Sequence, residues 1–456
     1  LFVVYEQTVP DDAFGTIMVR HFKKFGSPLR CISTFPSYAA YDARYRELGW
    51  TPRIVDLNAV FMSLVEEKER ERVLCLEPFD EYEELHAKCA HYFLLVAVVK
   101  GSVMQREGLL DKIVGKREEG AVECGGNVTR AELSLALGVE ERQLGNEWVA
   151  VRQSEEDELY QRRWGHASSQ VGADRVIVVG GAGGVGHTRL NDAICIDMLK
   201  NEVAKLNTTG DPPTPRMYHS CTAWAGGILV FGGRYGPRKP YNDMYFLDAS
   251  SSLWRNVETN GARPSPRWRH SATLLEDKGL LLVLGGRDSD GPVEDFAFVL
   301  DLATNVWRTL PEAPLTARYS HSATVTADGV VIVGGLAAKG LPLGDVWKLD
   351  TSSWQWTMLY NADLPEGRGG RYAHQTALIG QHLLLCVGGS MTARKGVVAD
   401  VLAVFDLQEG CWRPIASDAL PPLPPLPMML FGHSMHLVSG QLVLVGGGGN
   451  CVSFGT

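Results

Sequence analysis

A chain of 456 residues has room for two or three domains, and its 45% hydrophobic and 21% charged residues are the proportions of a globular protein with a sizeable core. A net charge of −9 excludes indiscriminate binding to nucleic acid or anionic membrane, while leaving room for a local basic face. The nine Cys include no Cys-x-x-Cys pair and no zinc-like spacing, which predicts reduced thiols in a cytoplasmic protein and no metal centre.

Residues 1–100 contain no repeat. Leu1 to Tyr5 reads as an apolar strand. Asp11-Asp12 caps a helix that places Phe14, Ile17, Met18 and Phe22 on one face and stops at Gly26. Ser37 caps a second helix with Tyr38, Tyr41, Tyr45 and Leu48 in register, stopped by Gly49. Thr51 to Leu57 reads as a strand, Asn58 to about Leu76 as a helix broken by Pro78, Asp80 to Tyr92 as another helix, and Phe93 to Val99 as a strand. Strands alternating with helices predict an α/β sheet. Three strands are too few for a complete doubly wound sheet, so the expectation is the C-terminal half of one, in a chain that is a fragment of a longer protein.

Tyr5-Glu6-Gln7, Asp12-x-Phe14-Gly15 with Met18, Gly49-Trp50, Asp56, and Leu76-Glu77 through Phe79-Asp80-Glu81 to His91-Tyr92 occur in an order that resembles the leucine carboxyl methyltransferase family. The resemblance covers residues 1–100. It implies strands five to seven of a class I S-adenosylmethionine-dependent methyltransferase, a half-domain only. The Gly-rich turn and ribose-binding acid of such folds are then expected upstream of Leu1. Tyr5 and Glu6, ending the first strand, become the candidates at the active-site edge. Pro78 and Glu69-Arg70-Glu71-Arg72 depart from the family pattern.

Further along, one pattern recurs six times. Diglycines stand at Gly180, Gly232, Gly285, Gly334, Gly388 and Gly446, each closing an apolar run. Arg-x-x-His opens five of the units, at Arg163, Arg216, Arg267, Arg318 and Arg371; the sixth keeps His433 but has Leu430 in place of Arg. Trp254, Trp307, Trp356 and Trp412 follow at near-constant distances, with Val203 at the corresponding place in the first unit. A period near 50 with several short strands per unit is a propeller-blade signature, and the pattern resembles the kelch repeat. The expected fold is therefore an α/β methyltransferase half-domain at 1–100, a linker at 101–130 and an all-β six-bladed kelch propeller at 131–456. Trp148 within Glu147–Val151, and Ala131–Leu137 before it, are expected to supply outer strands that close the sixth blade.

The two patterns in one chain resemble the kelch-bearing, tRNA-modifying branch of the methyltransferase family. That resemblance implies S-adenosyl-L-methionine as cofactor and phenylalanine tRNA as partner. It implies methylation of a carboxylate on a modified guanosine beside the anticodon, followed by methoxycarbonylation. A non-catalytic kelch scaffold, or a carboxyl methyltransferase acting on a protein phosphatase, are the alternatives.

Three motifs carry competing readings. Gly181-Ala182-Gly183-Gly184-Val185-Gly186 spells a dinucleotide fingerprint, but it coincides with a blade diglycine and precedes a strand pattern rather than a helix. The repeated His residues, one per blade, read as buried hydrogen-bonding partners rather than metal ligands. The turns after the diglycines carry cations: His187, Arg189, Arg234, Arg238, Lys239, Arg287, Lys339, Arg394 and Lys395, with Arg263 and Arg368 between blades. Such a ring on one face of the disc is the candidate contact for RNA phosphates.

Overall fold

The computed structural model describes residues 1–74, 81–102, 126–137, 163–183, 188–361, 370–391, 402–416, 419, 430–438 and 441–448. Pro78, most of the expected linker, Trp148 with Glu147–Val151, His187, Arg368, Arg394 and Lys395 lie outside these residues. Among the described residues, no helix is long and apolar enough to cross a membrane.

The N-terminal sheet has three strands, β1 (Phe2–Gln7), β2 (Trp50–Asp56) and β3 (Tyr92–Val99), in the order β1-β3-β2. The last strand lies between the first two and runs antiparallel to both, pairing Phe2 with Ala97 and Trp50 with Val99. Its run of apolar residues makes it the buried centre, with Phe93, Leu95, Ala97 and Val98 fully covered. β1 is an edge strand, and Leu1, Val3 and Tyr5 on it are more than half exposed.

Helix α1 (Ala13–Lys24) follows β1, capped by Asp12, whose Oδ1 accepts the Gly15 amide at 2.7 Å. Helix α2 (Tyr38–Glu47) is capped by Ser37 and buries Tyr41 and Tyr45 against β3. The single helix expected after β2 is instead a short α3 (Leu57–Ala59), a π-helical turn at Val60–Leu64, and α4 (Glu67–Leu74), interrupted where Val65 turns extended. Helix α5 (Tyr82–Ala90) then leads into β3.

One expectation is overturned. Ala131–Leu137 is not a strand but belongs to helix α6 (Arg130–Leu137). Thr129 and Glu132 form a capping box: Thr129 donates its amide to the Glu132 carboxylate, and the Glu132 amide donates to Thr129 Oγ1 at 3.2 Å. Ala and Leu, strong helix formers, fill the turns behind it. The helix packs on the fifth repeat through Leu133, while Val128 pairs with Ile415 and Arg413 bonds Glu132 at 2.9 Å.

The remainder is a β-propeller. Six sheets follow one another, their innermost strands at Ala167–Val171, Ser220–Trp224, Ser271–Leu275, Ser322–Thr326, Gln375–Ile379 and Ser434–Val438; they are numbered blades 1 to 6 here. The residue before the His of each opening has positive φ: Gly165, Tyr218, Arg269, Ser320, Ala373 and, in the opening that begins with Leu430, Gly432. That conformation turns their peptide groups toward the neighbouring blade. Each amide donates to the equivalent carbonyl one blade back, from Tyr218 on Gly165 at 2.6 Å round to Gly165 on Gly432 at 3.4 Å. The six bonds close a ring.

The Arg and His of each opening complete the scheme from below. Arg163, Arg216, Arg267 and Arg318 are fully buried, donating to the first-glycine carbonyl of their own blade and pairing with Asp192, Asp243, Asp295 and Asp345 at 2.6–2.9 Å. Arg371 donates to Gly388 O at 2.6 Å. His Nε2 bonds the Ser that follows the His of the preceding blade: His270 to Ser220, His321 to Ser271, His374 to Ser322 and His166 to Ser434, at 2.9–3.0 Å. For His219 and His433 the partner positions are Ala167 and Gln375, neither of which carries a hydroxyl. The second glycine has no room for a side chain; a Cβ on Gly233, at φ +88°, would stand 2.7 Å from His219 Cβ.

Between blades, the Trp positions carry the apolar packing. Trp254 of blade 2 lies against Ile177 and Val179 of blade 1, Trp307 against Leu229 and Phe231, and Trp412 against Val331 and Val333. Val203 fills the same role more modestly, against Val438 and Val445 of blade 6. Each fully buried large side chain contributes about 1.5–3 kcal/mol.

Candidate nucleic-acid interface and sheet edge

Of the residues that carried the N-terminal resemblance, Tyr5, Glu6, Asp12, Phe14, Gly15, Asp56, His91 and Tyr92 gather at the C-terminal ends of β1 and β2; Gly49 and Trp50 lie at the opposite end of β2, and Leu76, Glu77, Phe79 and Asp80 lie outside the described residues. Asp12 caps α1 and also receives His91 Nε2 at 2.8 Å; Phe14 stacks on the His91 ring at 4.5 Å. Gly15 is obligatory there, because a Cβ would sit 1.9 Å from the Val9 carbonyl oxygen. Asp56 caps α3 through the Ala59 amide at 2.6 Å, and burial pushes its carboxyl above the usual range. Both carboxylates thus hold the chain where it leaves a strand. Tyr5 stacks on Tyr92 at 5.5 Å and is 56% exposed, and Glu6 is half-buried in register with Phe93.

This end of the sheet faces the propeller. Phe14 and Ile17 of α1 pack on Phe431 of blade 6. Helix α5 docks more deeply. The Glu83 carboxylate pairs with Arg269 of blade 3, both buried, with Nη2 to Oε2 at 3.1 Å. The Tyr372 hydroxyl of blade 5 bonds His86 Nδ1 at 2.8 Å, and burial lowers His86 to about 4. Tyr82 packs with Tyr319 and Leu336 of blade 4, and a Cβ on Gly340 would stand 2.1 Å from its ring. Asn58 braces the helix by donating to His86 O at 2.9 Å.

Around the mouth of the propeller runs an alternation of guanidinium groups and aromatic rings. Arg189 lies 5.8 Å over Trp164, whose ring meets Tyr218 at 6.0 Å. Arg269 lies 4.0 Å over Tyr218, Arg234 lies 5.1 Å over Trp268, and Arg287 bridges Trp268 and Tyr319 at 5.3 and 5.0 Å. Such contacts strengthen as they are desolvated.

The expected cation ring therefore divides. Arg234 and Arg287 are buried among aromatic rings, because the residue after the second glycine faces the propeller axis rather than solvent. They are placed to shape the mouth, not to reach a phosphate directly. Arg189 is half-buried and donates to Tyr235 O at 3.0 Å. Arg238 and Lys239 are exposed on the hairpin formed by Arg234–Gly236 and Lys239–Pro240. Lys339 is exposed beside Gly340, and Arg263 is exposed and donates to Thr259. Arg394, Lys395, His187 and Arg368 fall outside the described residues. The fingerprint glycines Gly181 and Gly183 lie in the strand Arg175–Gly183, which pairs with Thr188–Asp197; among the described residues no helix N-terminus stands behind them. Tyr82, Glu83, Arg269 and Tyr235 were not singled out by sequence reasoning. Only the place of Arg269 inside an Arg-x-x-His opening offered a signal.

Six sheets in a hydrogen-bonded ring, five of them opened by Arg-x-x-His and all closed by diglycines, define a kelch-type propeller. A family model described as the KLHDC2/KLHL20/DRC7 Kelch-repeats domain matches residues 165–389 and 238–448, and the chain belongs to the kelch-repeat family. The similarity to individual proteins extends further, over 100% of the chain. A rat protein named tRNA wybutosine-synthesizing protein 4 is 32% identical over 484 residues, and its human counterpart 32% over 486. A protein of the same name from Candida albicans is 24% identical over 479 residues. The chain spans 66% of the length of the rat and human relatives and 64% of the Candida one.

Proposed function

We propose that this chain belongs to an S-adenosylmethionine-dependent tRNA-modifying enzyme of wybutosine biosynthesis, acting in the cytoplasm. The observation that carries the reading is similarity to proteins named for that pathway over the N-terminal sheet and the propeller together, rather than over the kelch repeats alone. In this reading residues 1–100 are the C-terminal half of a methyltransferase domain. The β1-β3-β2 order, with an exposed apolar edge on β1, supports it, since such an edge is suited to pairing with further strands.

The residues present do not themselves fit the cofactor. Asp12, after β1, and Asp56, ending β2, are engaged in helix caps, and β1 is followed by Thr8-Val9-Pro10 rather than a Gly-rich turn. The chain's part is to position the acceptor. The reading assigns as acceptor the carboxylate on the amino-carboxypropyl side chain of a tricyclic guanosine in phenylalanine tRNA, with methoxycarbonylation following. A carboxylate is already nucleophilic, so alignment supplies most of the catalysis. The strand ends bearing Tyr5 and Glu6 lie on the side of the sheet that α1 and α5 fasten to the propeller.

The direct test uses the longer protein containing this chain, with labelled S-adenosylmethionine and phenylalanine tRNA carrying the carboxylate precursor. Transfer of label to the tRNA is expected; transfer to a protein-phosphatase C-terminus, or to nothing, overturns the reading. The scaffold alternative has less support, because α5 occupies the mouth of the propeller that a protein partner would otherwise use.

A further inference from the structure

The contacts of α1 and α5 with the propeller fall on blades 3 to 6, whereas the tip of the blade 2 hairpin, from Tyr235 to Lys239, is open to solvent on the same face. The common face follows from the repeat: in blade 4 the corresponding connection, between its diglycine and Asp345, is the one that meets Tyr82. The hairpin sequence Arg-Tyr-Gly-Pro-Arg-Lys-Pro has three cations and no carboxylate, within a chain of net charge −9.

The hairpin is held from both sides. Arg189 of blade 1 donates to Tyr235 O at 3.0 Å, and Ser289 of blade 3 donates to Pro237 O at 3.0 Å. Held this way, Tyr235 still keeps 51% of its surface exposed, with Lys239 Nζ 5.6 Å from its ring centre and Arg238 exposed beside it. The nearest acidic turn is partly self-engaged: Asp288 Oδ1 accepts the amides of Asp290 and Gly291. A fixed aromatic face flanked by cations is the arrangement that receives unstacked bases of single-stranded nucleic acid, the ring taking a base and the cations its phosphates.

We propose that the blade 2 hairpin, with Tyr235 as stacking platform and Arg189, Arg238 and Lys239 as phosphate contacts, docks a single-stranded loop of RNA. The inference rests on the reading above that the molecule acts on tRNA, and it names the surface and the kind of RNA element bound. Arg234 and Arg287 lie inside the rim and shape the floor beneath it.

The test measures binding of the 456-residue chain to an anticodon stem-loop transcript of phenylalanine tRNA and to a duplex of equal length, across a salt series. Tyr235→Ala is expected to weaken loop binding about five- to 150-fold and Tyr235→Phe to leave it close to unaltered, as stacking demands. The pair Arg238→Ala and Lys239→Ala is expected to lower the log–log salt slope by about 1.5. Thermal melting of each variant confirms that the propeller is intact. Loop binding by all variants equal to that of the unaltered chain overturns the proposed surface and leaves the tRNA reading standing. Failure of the unaltered chain to bind either RNA counts against both. Equal displacement of the loop by a poly-glutamate peptide overturns the assignment of RNA in favour of an acidic protein segment.

Discussion

Blades 2 and 4 are built on the same repeat, yet they treat the turn behind their diglycine in opposite ways. In blade 4 that turn carries Gly340 at φ +70°, pressed under Tyr82 of α5. In blade 2 a connection of the same length folds into a cationic hairpin that exposes Tyr235. Below the turns the two blades are interchangeable: Arg216 with Asp243, and Arg318 with Asp345, both pairs at 2.6 Å. The frame is thus uniform, and what each sector of the rim does is decided by a few residues in one connection.

The largest expected effect falls on the shared frame. Burial holds His219 and His321 at about 3 and His433 at about 4, and pushes His166, His270 and His374 well below their ordinary value near 6.5. In the unfolded chain these rings protonate as pH falls below about 6.5, while in the fold they stay neutral. Stability is therefore at its full value above that pH and declines below it, by about 1.4 kcal/mol per pH unit for each ring. Six rings suffice to exhaust a stability of about 5–15 kcal/mol within a few units. Denaturant melts from pH 7 down to 4 are expected to show this loss; a flat profile would contradict the neutral His ring.

Next in size is the covered sector. Glu83→Ala strips Arg269 of a buried carboxylate and is expected to destabilise by about 3–5 kcal/mol in chemical denaturation. A cost under about 1 kcal/mol would show that α5 does not hold the rim. Gly340→Ala combines positive φ with a methyl against Tyr82, for an expected cost of about 1–3 kcal/mol. In the open sector, Arg238→Ala with Lys239→Ala is expected to move stability by less than about 0.5 kcal/mol. A larger loss would make that hairpin structural, and the contrast between the two blades would fail.

How much of this could be read in advance follows the range of the interactions. The diglycines, the Arg and His positions and the inter-blade Trp residues recur at fixed spacing, because every blade meets its neighbour in the same way, and repetition made them visible. The Glu83–Arg269 pair joins positions 186 apart in sequence and occurs once, so no periodicity announces it. Arg234 and Arg287 were expected among exposed cations because loop positions are usually solvated; the left-handed glycine before each turns them toward the axis instead. The helix at Ala131–Leu137 has a local signal in the sequence: Thr129 and Glu132 stand at capping-box spacing in front of helix-forming residues, and that local preference outweighs the demand for a closing strand.

The ring of amide bonds at the mouth has one further consequence. The join between blade 6 and blade 1, from Gly165 to Gly432, uses the same donor and acceptor positions as the other five joins. In this inner ring the seam repeats the donor and acceptor pattern of every other boundary, although Val203 stands there in place of the Trp. A circularly permuted polypeptide, opened between blades 3 and 4 and spliced across the present seam, would find every one of those bonds waiting in the same order.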